Sequence, residues 1–335
     1  MNRRQFYHYA AGAAGALALA SATRADENVP STRIRRPLCV SSYSYWGYRT
    51  EAAPTMEQCV LWASEMGFVG LEILEKQMYL NPAAGEITES KLPGGGQLFQ
   101  TYRTNRAYLK NLKRFAFTQG IALCGYATHQ SFVTPDEEFR QKNVDATIAG
   151  IETAGELGIP TLRVNTGRWG TSKDFTDLMN HKGIEPPLEG YTDADALPWV
   201  IESLEKCLPT AEKCGVILGL ENHWGLARRA EGAVEIVKKI DSPWLRLTLD
   251  TGNLLDDDRY EQMAQMVPYT TFVHAKSYYG GGTWYTLELD YPRIMKILDE
   301  ANYRGFISCE YEGRESPATG VPKAKKELED AMQEI

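Results

Sequence analysis

The sequence predicts an α/β protein of the (βα)8 TIM-barrel class, and three observations carry this prediction. From residue 37 onward, short apolar segments rich in β-forming residues alternate with longer segments of helical periodicity. Eight such repeats can be counted, which is the number that a closed parallel barrel requires. No glycine-rich phosphate fingerprint follows the first strand, which disfavours the alternative of a doubly wound open sheet.

The eight predicted strands are nearly continuous apolar runs, as expected for strands that are buried on both faces of a parallel sheet. In chain order they are PLCVSSY, FVGLEIL, IALCGYATH, TLRVNTG, VILGLEN, LRLTLDTG, TTFVHAKS and GFISCEYEG.

The segments between the strands carry apolar residues at helical spacing. Ala233, Ile236, Val237 and Ile240 follow the i, i+3, i+4, i+7 pattern of a helix with one buried face. Several segments end in a glycine directly before the next strand, where a left-handed residue turns the chain back. Two segments, residues 75–100 and 170–198, show neither pattern, and we predict long loops there, of the kind that often act as lids.

Composition limits the functional class. The chain has 335 residues, 43% of them hydrophobic, and a formal net charge of −8. This is enough apolar material for a large core. No Lys/Arg-rich cluster is present, so a nucleic-acid partner is not expected. The cysteines form no CxxC pair, and we predict buried thiols at all six positions: Cys39, Cys59, Cys124, Cys207, Cys214 and Cys309.

The N-terminus differs in character from the remainder of the chain. Arg3 and Arg4 precede Phe6 and a weakly apolar run rich in Ala and Gly. This start resembles a twin-arginine signal, which implies export of the folded protein to a bacterial periplasm by the Tat machinery. The run is too short and too glycine-rich for a permanent membrane span. We therefore predict a signal peptide over residues 1–25, a linker over 26–36 and the barrel over 37–335.

Four successive strands end in an ionisable side chain. Glu221 ends the fifth strand, Asp250 the sixth, His274 the seventh and Glu310 the eighth. The C-terminal ends of barrel strands converge on the active site. Three carboxylates that converge on one imidazole repel one another unless a cation lies between them. We predict one divalent metal ion, with Mn²⁺ as the first choice and Mg²⁺, Co²⁺ or Zn²⁺ as alternatives.

With these residues, the sequence resembles the sugar phosphate isomerase/epimerase superfamily of xylose isomerase-like TIM barrels, over about residues 37–315. The resemblance implies metal ligation by Glu221, Asp250, His274 and Glu310. It also implies that Glu221 and Glu310 exchange substrate protons from opposite faces. Two further residues match positions of the family: Glu72 at the end of the second strand and Lys276 in the His-x-Lys turn.

The sequence departs from the family at two places. Asn253 stands where many members have a histidine three residues after the metal-binding Asp, and Ser277 to Gly280 replace a segment that contains an arginine in the epimerases. Besides Glu72, Asn253 and Lys276, we predict substrate contacts for polar and aromatic residues at strand ends, although each also suits a structural role: His129, Asn165, His223, Trp46 and Trp224.

These residues predict an enzyme that abstracts a proton beside a carbonyl of an unphosphorylated keto-sugar or inosose through a metal-bound enediolate. Return of the proton to the opposite face gives an epimer, and its return to the neighbouring carbon gives an isomer. The alternative is a lyase that eliminates a β-leaving group from a 3-keto-glycoside or inosose. A non-catalytic sugar-binding protein is a third reading. A nuclease like endonuclease IV is disfavoured, because its trinuclear zinc site needs more histidines than this chain offers. The oligomeric state stays open.

Overall fold

A computed structural model describes residues 36–47, 52–91 and 98–334, with side chains omitted for residues 89–91, 98 and 99. Its centre is a closed barrel of eight strands, which confirms the predicted fold class. The barrel strands β1, β2 and β5 to β10 are Leu38–Ser41, Gly70–Leu74, Ala122–Ala127, Thr161–Val164, Ile217–Glu221, Leu245–Asp250, Thr270–Ser277 and Ile307–Tyr311. Around the barrel they follow the order β1-β10-β9-β8-β7-β6-β5-β2.

Helices flank the strands along the described part of the chain. In order, α1 to α11 are Tyr43–Trp46, Met56–Glu65, Glu75–Tyr79, Arg106–Thr118, Glu137–Leu157, Phe175–Asn180, Asp193–Cys214, Ala230–Ile240, Arg259–Met266, Tyr291–Glu300 and Pro317–Gln333. None of these helices combines the length and the apolar character that a membrane span needs.

Strand register places the polar strand ends at one level. Asp250 pairs with His274 across β8 and β9, and Lys276 pairs with Glu310 across β9 and β10. All neighbouring barrel strands are parallel, so these ends share one rim. This rim is where a TIM barrel carries its site.

The prediction of a loop over residues 75–100 is wrong. The segment begins with α3 and continues into a hairpin of two antiparallel strands, β3 (Gly85–Lys91) and β4 (Leu98–Thr104). The glycine-rich stretch that suggested a loop connects the two strands. The hairpin lies outside the barrel sheet and packs through Tyr102, whose ring stacks on Tyr79 at a centroid distance of 4.3 Å.

The second predicted loop, 170–198, is also partly helical. It contains α6, whose N-terminus is capped by the Asp174 side chain, and its last residues form the start of α7. Thr192 and Asp195 form a capping box at that start, which favours a helix despite Pro198. Pro186 and Pro187 remain in the connection between the two helices.

The cysteine prediction is confirmed for the free thiols, and all but Cys214 are fully buried. The body of the barrel begins at Arg36, which is buried and lies 2.8 Å from Asp299. The predicted signal peptide, residues 1–25, and most of the predicted linker lie outside the described residues, so both stay predictions.

Glu75, directly after β2, gives a testable pH dependence. Its carboxylate borders a small cavity of about 220 Å³ below the hairpin and accepts a hydrogen bond of 3.3 Å from Tyr126. Burial raises its pKa to about 8, although the Tyr126 bond acts in the opposite direction. Between the ordinary pKa of 4.5 and 8, the folded state therefore binds one more proton than the unfolded state, and stability falls as the pH rises.

We expect Glu75→Gln to remove part of the loss of stability that accompanies rising pH, because glutamine cannot ionise. Between pH 5 and pH 8 the variant should lose less stability than the wild type, by an amount on the order of 1 kcal/mol, since the side chain is only partly buried. Urea denaturation at the two pH values measures the difference. Glu86→Gln, an exposed change on the hairpin above the cavity, should leave the pH-dependent loss of stability intact. Equal pH dependence in wild type and Glu75→Gln contradicts the prediction.

Candidate functional site

Three carboxylates from β7, β8 and β10 converge around one atom of β9, the Nδ1 of His274. Its distances are 2.9 Å to Glu221 Oε1, 3.5 Å to Glu310 Oε2 and 3.7 Å to Asp250 Oδ2. All four side chains are buried. Glu221, Asp250 and His274 alone offer three ligand atoms within 4.8 Å of one another, which is a spacing that a single metal ion can bridge.

The chemistry of this cluster fits a divalent cation. Asp250 Oδ2 and Glu310 Oε2 are buried and accept no hydrogen bond from the described residues, although the Lys276 ammonium lies within ion-pair distance of both. Burial lowers the pKa of His274, but the carboxylates of Glu72 and Glu310 outweigh burial, and the net pKa lies well above its usual value. The cluster thus attracts positive charge at its centre, and its oxygen-rich set with one nitrogen suits Mn²⁺, Mg²⁺, Co²⁺ or Zn²⁺.

The LDTGN turn after β8 fixes the orientation of Asp250. Its Oδ1 accepts hydrogen bonds from the backbone N–H groups of Gly252, at 2.7 Å, and Asn253, at 3.1 Å. A Cβ at Gly252 would lie 2.3 Å from both Lys276 Cγ and the Tyr278 hydroxyl, so only glycine fits there. The turn leaves Oδ2 of Asp250 directed at His274.

Asn222 ties the end of β7 to the end of β8. Its amide donates to the Asp250 carbonyl at 2.9 Å and accepts from the Asp250 N–H at 2.7 Å. The hydrogen bonds between the Asn222 side chain and the Asp250 backbone therefore hold the metal-ligand candidates Glu221 and Asp250 at a fixed separation, which is the preorganisation that a metal site needs.

Glu221 lies below the cavity wall, between charged and polar partners. Its Oε2 accepts from Asn165 Nδ2 at 3.0 Å and lies 3.3 Å from the Arg163 guanidinium. Burial raises the pKa of Glu221, but Arg163 and the neighbouring histidines outweigh it and hold the pKa well below its usual range. Sequence reasoning missed Arg163, although one basic residue inside the otherwise apolar strand TLRV is a usable signal.

Glu310 lines the cavity, and a second carboxylate, that of Glu312, pairs with the same Lys276 ammonium. The Nζ of Lys276 lies 2.9 Å from Glu310 and donates to Glu312 at 2.7 Å. Burial raises the pKa of Glu310, but Lys276 and His274 outweigh it and the net pKa is lowered, so the carboxylate is ionised near neutral pH. Glu312 was missed in the sequence, although it stands two residues after Glu310 in the same strand-end segment.

Above this cluster lies a cavity of about 320 Å³. Five of the predicted substrate contacts lie on the cavity wall: His129, His223, Asn253, Lys276 and Trp224. Besides Glu310, the wall includes Tyr43 and Trp284, which the sequence marks only as strand-end aromatics that can stack on a sugar face or pack in the core. Sequence reasoning assigned no role at the site to the remaining wall residues, which are Ser41, Leu74, Ala127, Arg163, Phe175, Tyr285 and Glu312.

The two histidines on the wall are neutral near pH 7. Desolvation by the surrounding protein lowers the pKa of His223 to about 4. Desolvation and the charge of Arg163 hold the pKa of His129 below its usual value, although part of the His129 surface is exposed. Their rings lie 5.9 Å apart in a T-shaped arrangement. Neutral imidazoles both donate and accept hydrogen bonds, which suits contacts to sugar hydroxyls.

Three predicted substrate contacts do not lie among the cavity-lining residues. Glu72 is under the metal cluster, where its carboxylate binds His274 Nε2 at 2.7 Å and accepts from Ser308 at 2.8 Å. Asn165 is occupied with Glu221. Trp46 packs in a small apolar cluster behind Tyr43. All three therefore contact residues of the cavity wall or of the metal cluster and not the cavity itself.

Trp224 is held in an unusual backbone conformation. Its φ of 57° and ψ of −169° are rare for a residue with a side chain, and such strain concentrates at functional sites. Its ring contacts Gly183, where any Cβ would approach to 2.3 Å. The segment between β6 and α7 thus packs directly on a residue of the cavity wall.

Comparison with known proteins agrees with this architecture. The sequence model of the family described as "Xylose isomerase-like TIM barrel" matches residues 60–334. No curated protein matches the chain. Among solved structures, the 3-keto-D-glucoside 4-epimerase from E. coli is similar at 16% identity and a TM-score of 0.64, over 88% of this chain and 100% of that one.

Two further structures share the fold. A D-tagatose 3-epimerase-like protein has 20% identity and a TM-score of 0.64, over 89% of this chain and 97% of that one. The D-psicose 3-epimerase of Clostridium cellulolyticum H10 has 17% identity and a TM-score of 0.62 over the same shares. At these identities the likeness concerns the fold. Since the family match covers most of the residues, the chain belongs to the xylose isomerase-like TIM barrel family.

Proposed function

We propose that this protein is a divalent-metal-dependent sugar epimerase or isomerase, which removes a proton beside the carbonyl of an unphosphorylated keto-sugar or inosose. The observation that carries the proposal is the position of Glu310. It is an ionised carboxylate on the cavity wall, and it also belongs to the cluster that fits a metal ion. Family membership and the named epimerases of the same fold support this choice.

The side chains of the site have different proposed roles. Glu221, Asp250, His274 and Glu310 would hold the cation, which when bound supplies Lewis-acid polarisation of a carbonyl group. Glu310 accepts the proton from the carbon beside that carbonyl. Lys276 keeps Glu310 ionised and oriented, and its positive charge favours negative charge that develops on the substrate.

The main role proposed for Glu221 is that of a metal ligand. It is 1% exposed and is not on the cavity wall, so proton transfer by Glu221 requires the substrate to reach down to the metal cluster. Return of the proton from the Glu221 side gives an epimer, whereas its return by Glu310 to the neighbouring carbon gives an isomer.

The charge of the cavity favours a substrate without phosphate. The two basic residues on the described wall, Arg163 and Lys276, are each paired with carboxylates. Phosphate recognition needs cationic side chains or free backbone N–H groups directed at the ligand. The wall instead offers imidazole, amide and carboxylate groups of the kind that bind hydroxyls.

One observation favours the lyase as a second candidate. Glu310 and Glu312 line the same cavity and are bridged by the single ammonium of Lys276. Two carboxylates on one wall suit removal of a proton and loss of a neighbouring leaving group on the same side of a sugar ring. A 3-keto-glycoside or an inosose would be the substrate of such a reaction.

Proton NMR in D₂O tests the proposal. The Mn²⁺-loaded protein is incubated with a panel of ketoses, inososes and 3-keto-glycosides. We expect deuterium at the carbon beside the carbonyl of at least one substrate, together with an epimer or isomer. Loss of that carbon-bound proton together with a released aglycone or a dehydrated sugar identifies the lyase instead. Sugar binding without exchange on any member, with metal bound at the site, overturns the enzyme proposal in favour of a binding protein.

A further inference from the structure

The cavity has two chemically different zones. Its floor is polar, with the buried side chains of Glu310 and Lys276, whereas the half-buried Phe175 and the exposed Trp284 place their aromatic rings towards its mouth. These two rings come from different segments, one from α6 and one from the segment between β9 and α10. They meet in a T-shaped contact with centroids 5.1 Å apart.

Trp284 is unusual among the large apolar side chains, because 48% of its surface is exposed while its ring borders a cavity. It lies within hydrogen-bonding reach of the Tyr43 hydroxyl. The Tyr43 ring in turn lies 5.8 Å from the Lys276 ammonium, which pairs with Glu310. Trp284 is therefore connected to the polar floor through a single side chain.

The segment that carries Trp284 is fixed by its own backbone. Thr283 N–H donates to the Glu312 carbonyl at 2.9 Å, and Gly282 bridges to Gly313 directly after β10. Gly282 N–H also donates to the Thr286 hydroxyl at 2.7 Å. These bonds hold the segment against the strand end that bears Glu310, so the aromatic surface is formed before a ligand arrives and costs little to order on binding.

A sugar ring can stack its C–H face on an aromatic ring, but a ring that the polar floor holds through its hydroxyls leaves Phe175 and Trp284 at the mouth for a group attached to that ring. A ligand with a sugar at one end and a flat apolar group at the other matches both zones. Aromatic rings bind flat apolar groups by stacking and edge-to-face contact, with specific geometry beyond the area buried. The cavity also lies within the size range of pockets that take ligands larger than one sugar ring.

We propose that Phe175 and Trp284 form an aglycone subsite, and that the substrates of this protein are keto-sugars carrying an aromatic aglycone, that is, oxidised aryl glycosides. This inference rests on the proposed function for one point only, namely that the sugar ring occupies the polar floor. It adds the chemical class of the group attached to that ring.

Binding of non-reactive probes tests the subsite. Phenyl and methyl glucopyranosides, each as both anomers, are titrated into the Mn²⁺-loaded full chain and followed by calorimetry. We expect a phenyl glucoside to bind roughly tenfold more tightly than its methyl counterpart. Trp284→Ala should reduce that ratio to about two or less, and Trp284→Phe should retain part of it.

Phe117→Ala is the matched control, because Phe117 is an exposed aromatic residue on α4, at 82% exposure, and is not among the cavity-lining residues. It should leave the phenyl-to-methyl ratio unchanged. Thermal melting of the variants checks that each is folded. Equal affinity for phenyl and methyl glucosides, or a preference that Trp284→Ala does not reduce, overturns the subsite.

The two proposals fail in different ways. Deuterium exchange on free keto-sugars, together with no preference for the phenyl group, removes the aglycone subsite and keeps the enzyme. A phenyl preference that depends on Trp284, together with no exchange on any keto-sugar or keto-glycoside, keeps the subsite and removes the proposed enzymatic function.

Discussion

Replacing Glu310 by glutamine is expected to reduce exchange of the substrate proton by about 10³-fold or more, because the amide cannot accept a proton from carbon. The neighbouring Lys276 and His274 hold the pKa of Glu310 below its ordinary value despite burial, so the wild-type carboxylate is in the basic form near neutral pH. Exchange in D₂O measured by proton NMR gives the rate. Glu221, Asp250 and His274 remain as ligands in the variant, so bound Mn²⁺, measured by elemental analysis, should be largely retained.

Glu312→Gln is the matched control for this change. Glu312 lies on the same wall and accepts from the same ammonium, but it stands outside the cluster around His274. We expect a loss of roughly tenfold or less, mainly through weaker substrate binding. If Glu310→Gln keeps more than a tenth of the wild-type exchange while its metal content is normal, Glu310 is not the base. A larger loss in Glu312→Gln than in Glu310→Gln assigns that role to Glu312.

The barrel was predictable because its signal is local. A strand buried on both faces appears as a continuous apolar run, and the residue that ends it is read directly from the sequence. Glu221, Asp250, His274 and Glu310 each end such a run. Closure of the barrel then brings four consecutive strand ends together without any further information.

The hairpin of β3 and β4 was missed for a physical reason. Its strands lie outside the barrel and expose one face, so they lack the continuous apolar run that marks the barrel strands. Glu86 and Arg103, which face each other across the hairpin, are both largely exposed, whereas Tyr102 packs on Tyr79. Such alternation is a weak signal when a glycine-rich connection separates the two halves.

The depth of each side chain in the barrel was not predictable either. Glu72 ends a strand in the same way as Glu310, yet it lies one level deeper and supports His274 from below. Its Cγ would be only 2.9 Å from a Cβ at Gly125, so the absence of a side chain there makes room for it. This arrangement depends on strand register, including the irregularity between Leu71 and Glu72, which one strand does not reveal.

Other parts of the site depend on contacts between side chains that are far apart in the sequence and that only the fold brings together. Arg163 reaches Glu221 across neighbouring strands, and Phe175 meets Trp284 across two connecting segments. No periodicity in the sequence encodes contacts between segments more than 50 residues apart. For this reason the polar strand ends were predicted as a group, whereas the pairing of Phe175 with Trp284 was not.

Adding Mn²⁺ to the metal-stripped protein is expected to raise its melting temperature by roughly 5–10 °C at saturating ion, because a cation that binds the folded state only stabilises it by mass action. His274 and the three buried carboxylates around its Nδ1 supply the binding energy. Asp250→Asn should abolish most of this shift and also the exchange of substrate protons. Asp257→Asn, an exposed change seven residues further along, should leave both unchanged.

In the metal-stripped protein, the direction in which Asp250→Asn changes the melting temperature distinguishes a metal ligand from a residue that only supports the fold. Burial raises the pKa of Asp250 to about 6, so at pH 7 its negative charge costs stability in the folded state, and that cost grows as the pH rises from the ordinary value of 3.8 through 6. Metal-stripped Asp250→Asn should therefore melt no lower than metal-stripped wild type, while the Mn²⁺-loaded wild type melts well above both. A residue that only supports the LDTGN turn would lower the melting temperature in both states by a similar amount. That second pattern, or a full Mn²⁺ shift in Asp250→Asn, would show that Asp250 is not a ligand of the bound ion.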